Sequence, residues 1–401
     1  MNKTTTANAR RLGFCLLAVG FLAAACGTGS AGDSPDIPSS GESPAGQSPQ
    51  NIPNVQGWNT DWSKATIDLS ELRRGLAASD PRDGIPPIDE PKLETVAEAS
   101  AWLDEREPVA LAEAGGETRA YPLRILTWHE VVNDELGGLP VAITYCPLCN
   151  SAVGFEREVD GQVLRFGVSG LLRNSDLVMW DRQTESLWQQ ISGEGIVGEL
   201  AGAQLEFVPV TIVSWKTFRE QFPDATVLSQ DTGFGRSYGI NPYDFYDSAT
   251  RPFLFSGEVD DRYPAMERVL AAVVGESNKA YPFSLISDEL VVNDELAGEP
   301  IVVFWGDEDT ASALSDPEIA EGRAVGTGAA YSRTVEGQVL TFRAAGPDRF
   351  EDTETGTTWD LLGNGVDGPL AGERLEPVIG GTHLWFAWAA FNQGSPVYEG
   401  P

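Results

Sequence analysis

The chain carries few sulfur or imidazole donors. Among 401 residues there are 4 Cys, 2 His and 3 Met, which narrows any thiol centre, or any metal centre built on sulfur and imidazole, to a handful of candidates. Positive charge is scarce too. Lys and Arg number 27 against 60 Asp and Glu, for a formal charge of −33. Nucleic acid would be repelled, and no basic stripe offsets the repulsion. An anionic lipid surface would not attract the chain either; such acidity mostly serves solubility. Beyond the N-terminus there is no long apolar run, so nothing there reads as a membrane span. No Gly-x-Ser-x-Gly elbow occurs, and Gly193, Gly195 and Gly198 do not lead from a strand into a helix. Neither a hydrolase nucleophile nor a nucleotide cradle is implied.

What is present begins with an export signal over residues 1–25. Lys3, Arg10 and Arg11 precede an apolar run from Leu12 to Ala25, too short to span a bilayer, and Ala23-Ala24-Ala25 lead to Cys26. The pattern resembles a bacterial lipoprotein signal, in which cleavage leaves Cys26 to be lipidated. An ordinary signal with a chance Cys is the alternative. Lipidation predicts an anchor in the cell membrane with the protein on its extracytoplasmic side. Removing the signal takes the charge from −33 to −36. Residues 26–56 are rich in Gly, Ser and Pro and read as a flexible tether.

The rest of the chain has room for two domains, and it repeats. Residues 107–145 align with 267–305 at a constant offset of 160. Val131-Val132-Asn133-Asp134-Glu135-Leu136 returns as Val291-Val292-Asn293-Asp294-Glu295-Leu296, and Trp188 returns as Trp359. Residues 57–232 form the first repeat, 233–260 an aromatic connector and 261–401 a second, degenerate repeat. The connector holds Tyr238, Tyr243, Phe245 and Tyr246, too aromatic for a free linker, so it should pack across both halves. Turn signals at Gly115-Gly116, Asp160-Gly161 and Asp181 to Thr184 predict hairpins. Helices are expected over Leu123 to Val132, Val213 to Gln221 and Phe283 to Val291, with a buried strand over Val141 to Tyr145. Strands outnumber helices. The expected fold is therefore a β-rich α+β class of two tandem pseudo-symmetric repeats.

The two copies differ where chemistry would sit. Cys146 faces Gly306, Cys149 faces Asp309, and His129 faces Glu289. Cys146-Pro147-Leu148-Cys149 puts two sulfurs within reach of one metal ion, or of each other. Three readings stay open: metal ligands, a redox pair, or a structural disulfide. A thioredoxin-like helix has no room before the strand near Val153, and a bridge over two residues closes too short a loop to stabilise much. His129 is the candidate imidazole ligand and Met179 a candidate soft ligand. A lone His or Met is most often packing, but both are missing from the second copy together with the Cys pair. Cys, Cys, His and Met together would suit copper, and Cys, Cys and His with an acid or water would suit zinc, with copper somewhat ahead of zinc. Tyr145, Arg173, Asn174 and Asp176 would support the ligands or contact a substrate. The metal reading requires His129 to share a pocket with the Cys pair, with Met179 or an acid from the Asp176 to Asp181 strand at its edge.

Several segments together resemble one family. They are Tyr145-Cys146-Pro147-Leu148-Cys149-Asn150, Ala120-Tyr121-Pro122, Trp128-His129-Glu130, Ser169-Gly170-Leu171-Leu172-Arg173-Asn174-Ser175, and Asp181 to Trp188. As a set they resemble the domain of unknown function 3179, over most of the chain from about residue 85. That family brings no established activity, so the resemblance implies no mechanism. Cys26 and the tether fit its exported, lipid-anchored members.

Overall fold

Strand accounts for 41% and helix for 13% of the structure, a computed structural model that describes residues 55 and 57–401. The signal 1–25, Cys26 and all of the tether 26–56 except Val55 lie outside the described residues. Those described belong to the unit Pro44–Pro401.

In the first half, Pro108–Ala114 and Glu117–Pro122 form the hairpin expected at Gly115-Gly116, both glycines at positive φ. Val210–Ser214 pairs on one side; Thr226–Leu228 and then Leu93–Thr95 extend the other. A second sheet sets Leu139–Cys146 between Val131–Leu136 and Ser151–Glu156, with Phe207–Val208 at its edge. Val141 to Cys146 are all buried, so this strand reads as an unbroken apolar run and not as an alternation. A third sheet runs Leu72–Arg74, Phe166–Arg173, Asp176–Asp181, Leu187–Gln189, Gly195–Val197.

The helix expected from Leu123 to Val132 is Leu123–His129. Glu130 turns it with φ 59 and ψ −28, its N–H still bonded to Leu126 O. Val131 then begins a strand, which β-branched Val131-Val132 favour. In the second half Phe283–Glu289 ends the same way at Leu290, φ 64 and ψ −28. Strand registers also recur at the offset of 160. Val109 pairs with Pro122 and Val269 with Pro282; Val131 pairs with Thr144 and Val291 with Phe304. The halves differ in their strand count, five and four in the first two sheets against three and three, and in one hairpin. The hairpin closed by Phe166 and Asp181 is five residues longer than the one closed by Phe342 and Asp352.

The connector touches both halves. Tyr238 reaches His129, and Tyr243 reaches Glu130. Buried Asp247 pairs with Arg268 and Arg323 of the second half, both at 2.9 Å. Among the described residues, no helix is long and apolar enough to cross a membrane.

Candidate metal centre

Leu139–Cys146 delivers Cys146 at its end. Pro147–Cys149 then makes one 3-10 turn, and Asn150 closes it with φ 48. Tyr145 braces the turn, its hydroxyl donating to Asn150 Oδ1 at 3.1 Å. Gln190 holds it from the side, Nε2 donating to Thr144 Oγ1 (2.8 Å) and Ser151 O (3.1 Å). Ser151–Glu156 starts at once, so no long helix follows the second Cys. The two cysteines lie 3.6 Å apart and are free. That overturns the disulfide alternative, since a bridged pair of sulfurs sits near 2.05 Å.

The third donor comes from the longer hairpin. Asn174 and Ser175, φ 50 and 66, form a two-residue loop between Arg173 and its partner Asp176. Turns of this hand fit the twist of the strands they join. A bulge at Ser169-Gly170 precedes it. Gly170 sits at φ 73, and a Cβ there would meet Pro81 at 2.5 Å, so only glycine fits. The loop brings Asp176 to the Cys turn: one carboxylate oxygen and the two sulfurs lie within 4.8 Å of one another. Its Oδ2 accepts from Gln189 Nε2 (2.7 Å) and Ile191 N (3.0 Å). Its Oδ1 is buried with no hydrogen-bond partner. Arg173 stands behind, donating to Gln189 Oε1 at 3.5 Å, so it supports Asp176 at one remove.

Burial governs the electrostatics. Cys146, Cys149 and Asp176 are at most 2% exposed. Loss of water pushes both thiols up, Cys149 well above the usual thiol range, and Asp176 up to about 6. Neither Asp176 nor Glu130 makes an ion pair among the described residues. Buried acids without a cation are what a bound cation would relieve.

His129 stands outside this group of donors. Its Nδ1–H donates to Pro86 O at 2.7 Å, and Nε2 accepts from the Tyr238 hydroxyl at 2.6 Å. A carbonyl can only accept, which assigns the tautomer. Both nitrogens are thus engaged, and the ring serves to hold the connector. Met179 is buried in the same apolar cluster as the Cys pair; it pairs with Trp188 and Val168 across the sheet. Asn174 shapes the loop, and Tyr145 braces the turn.

Glu130 was the residue that sequence reasoning passed over. Its backbone O accepts from Tyr145 N at 2.8 Å, which fixes it beside the Cys strand. Its Oε1 accepts from the Tyr243 hydroxyl at 3.3 Å, and burial pushes the carboxyl up to about 8. The signal was available: Glu130 faces Leu290 in the second copy, by the criterion that singled out His129.

Fold and site together define a β-rich protein with a buried dithiol–carboxylate group. The profile of the family described as a protein of unknown function, DUF3179, matches residues 82–395, and the chain belongs to that family. No curated protein and no solved structure matches it.

Proposed function

We propose that this chain binds a metal ion through Cys146, Cys149 and Asp176. It would do so on the extracytoplasmic side of the cell membrane, anchored there by lipid on Cys26. The carrying observation is the meeting of three donors within 4.8 Å, two from one short turn and the third from a hairpin. The orphaned Asp176 Oδ1 supports it, because a buried acceptor without a partner is costly. Zinc takes thiolate and carboxylate together. The Cys pair would also suit Cu(I), but a carboxylate oxygen is a poor ligand for that soft ion, and His129 is bonded elsewhere. Zinc is therefore the first choice and copper the second.

In this reading the two halves are tandem copies with unequal duties. The second kept the scaffold without the Cys pair, and its hairpin is too short to carry a counterpart of Asp176. A thiol redox role is the competing reading, favoured by two free sulfurs 3.6 Å apart. Metal analysis of the untagged full chain beside Cys146→Ser tests both. One zinc or copper per chain, lost in the variant, supports the metal centre. A metal-free wild type whose two thiols close to a disulfide in a glutathione redox series would overturn it in favour of the redox role.

A further inference from the structure

The turn after the first helix is built twice with one difference. Glu130 N donates to Leu126 O at 2.7 Å, and Leu290 N to Ile286 O at 2.8 Å. Tyr145 N donates to Glu130 O at 2.8 Å, and Trp305 N to Leu290 O at 2.9 Å. Both residues sit in the left-handed region, φ 59 and φ 64. The backbone of this turn is therefore made equally well by leucine. The Glu130 carboxyl contributes nothing to it, and as a buried acid it carries a desolvation cost.

What the carboxyl does have is a place. Glu130 is tied to Tyr145, next to Cys146, and it is 6% exposed. Its carboxylate makes one hydrogen bond among the described residues, to Tyr243 of the connector. It makes no ion pair there. The acid occurs in the half that has Cys146, Cys149 and Asp176, and leucine takes its place in the half without them.

We propose that Glu130 is the fourth protein donor of the centre, swinging from Tyr243 to the ion when the metal binds. The proposal rests on the metal reading of Cys146, Cys149 and Asp176 and adds a residue to it. Three donors leave a tetrahedral ion one ligand short, and closed structural sites supply four from protein. As the structure stands, the Glu130 carboxylate lies outside the 4.8 Å group. A rotation of its side chain is therefore part of the proposal.

The test uses the purified full chain with Co2+ as a coloured probe and Zn2+ in competition. The second half supplies the variant, Glu130→Leu, which preserves the turn. Wild type should show sulfur-to-cobalt charge transfer and the ligand-field bands of a tetrahedral ion. Glu130→Leu should keep the charge transfer, because both sulfurs remain, while its ligand-field bands shift and Zn2+ binding weakens at least about tenfold. Unchanged bands and affinity in Glu130→Leu would overturn the fourth donor and leave the metal centre intact. A wild type that takes up neither ion would overturn the metal centre itself. Circular dichroism checks folding; if Glu130→Leu does not fold, Glu130→Gln decides by the same two readouts.

Discussion

The indole nitrogen of Trp188 donates to Asp181 Oδ2 at 2.9 Å, across a turn in which Thr184 N donates to Asp181 Oδ1 at 2.6 Å. Trp359 and Thr355 bond Asp352 at the same two distances in the second half. One carboxylate thus satisfies a buried indole and a turn amide at once. Asp181→Ala would orphan both, at a cost of about 1–3 kcal/mol. Asp352→Ala should cost a similar amount. Urea unfolding midpoints check this. A loss below about 0.5 kcal/mol in both variants would show that the turn holds itself.

Asp176→Asn should leave the fold intact and weaken metal binding. An Asn amide oxygen can still accept from Gln189 and Ile191, but its NH2 would point where Oδ1 now lies bare. Zinc affinity should fall at least about tenfold, since a charged donor is replaced by a neutral one. Isothermal titration of wild type and variant decides. Equal affinities would remove Asp176 from the ligand set.

His383 gives the protein an acid limb. Burial pushes its pKa from the ordinary 6.5 down to about 3, and its Nδ1 lies 3.1 Å from Ser151 Oγ. The unfolded chain therefore binds the proton first. The contribution is fully present above about pH 6.5, declines as pH falls towards 3 and is flat below. It should amount to a few kcal/mol, on the order of 1.4 kcal/mol for each tenfold loss of proton affinity on folding. His383→Gln should flatten the difference in stability between pH 7 and pH 4 relative to wild type. Parallel slopes for the two proteins would refute the assignment.

Cys26→Ser should release the protein from membranes while its folded part keeps the same melting temperature. Fractionation of cells into soluble and membrane pools provides the measurement. Undiminished membrane association of the variant would reject the lipid anchor.

Turn chemistry was the most legible part of the sequence. Asp160-Gly161 and Gly115-Gly116 announce their hairpins because residues at positive φ are mostly Gly, Asn or Asp. The end of the first helix was hidden for the same reason. Glu130 and Leu290 take positive φ without being any of these, so the helix read on into what is a strand. Comparison of the two copies found the Cys pair, and Asp176 entered as a supporting residue. That comparison could not separate His129 from Glu130, which stand side by side and both change. Only the packing tells them apart: Pro86 and Tyr238 occupy both imidazole nitrogens, while the Glu130 carboxyl has a single hydrogen bond, from Tyr243. Arg173, Asn174 and Asp176 read as supports or substrate contacts because nothing in the sequence marks Asn174-Ser175 as a two-residue turn with both residues at positive φ.

Cys149 and Asp176 come from separate pieces of chain, a turn at a strand end and the tip of a hairpin. An ion shared between them would be held by the folded chain and hardly at all by the unfolded one. Metal supply would then set lifetime. At a free concentration one hundred times Kd, such an ion shifts the folding balance by about 2.7 kcal/mol. Starved of it, the same protein would open more often and fall to proteases sooner, so the rate of its proteolysis would report how much free metal its surroundings offer.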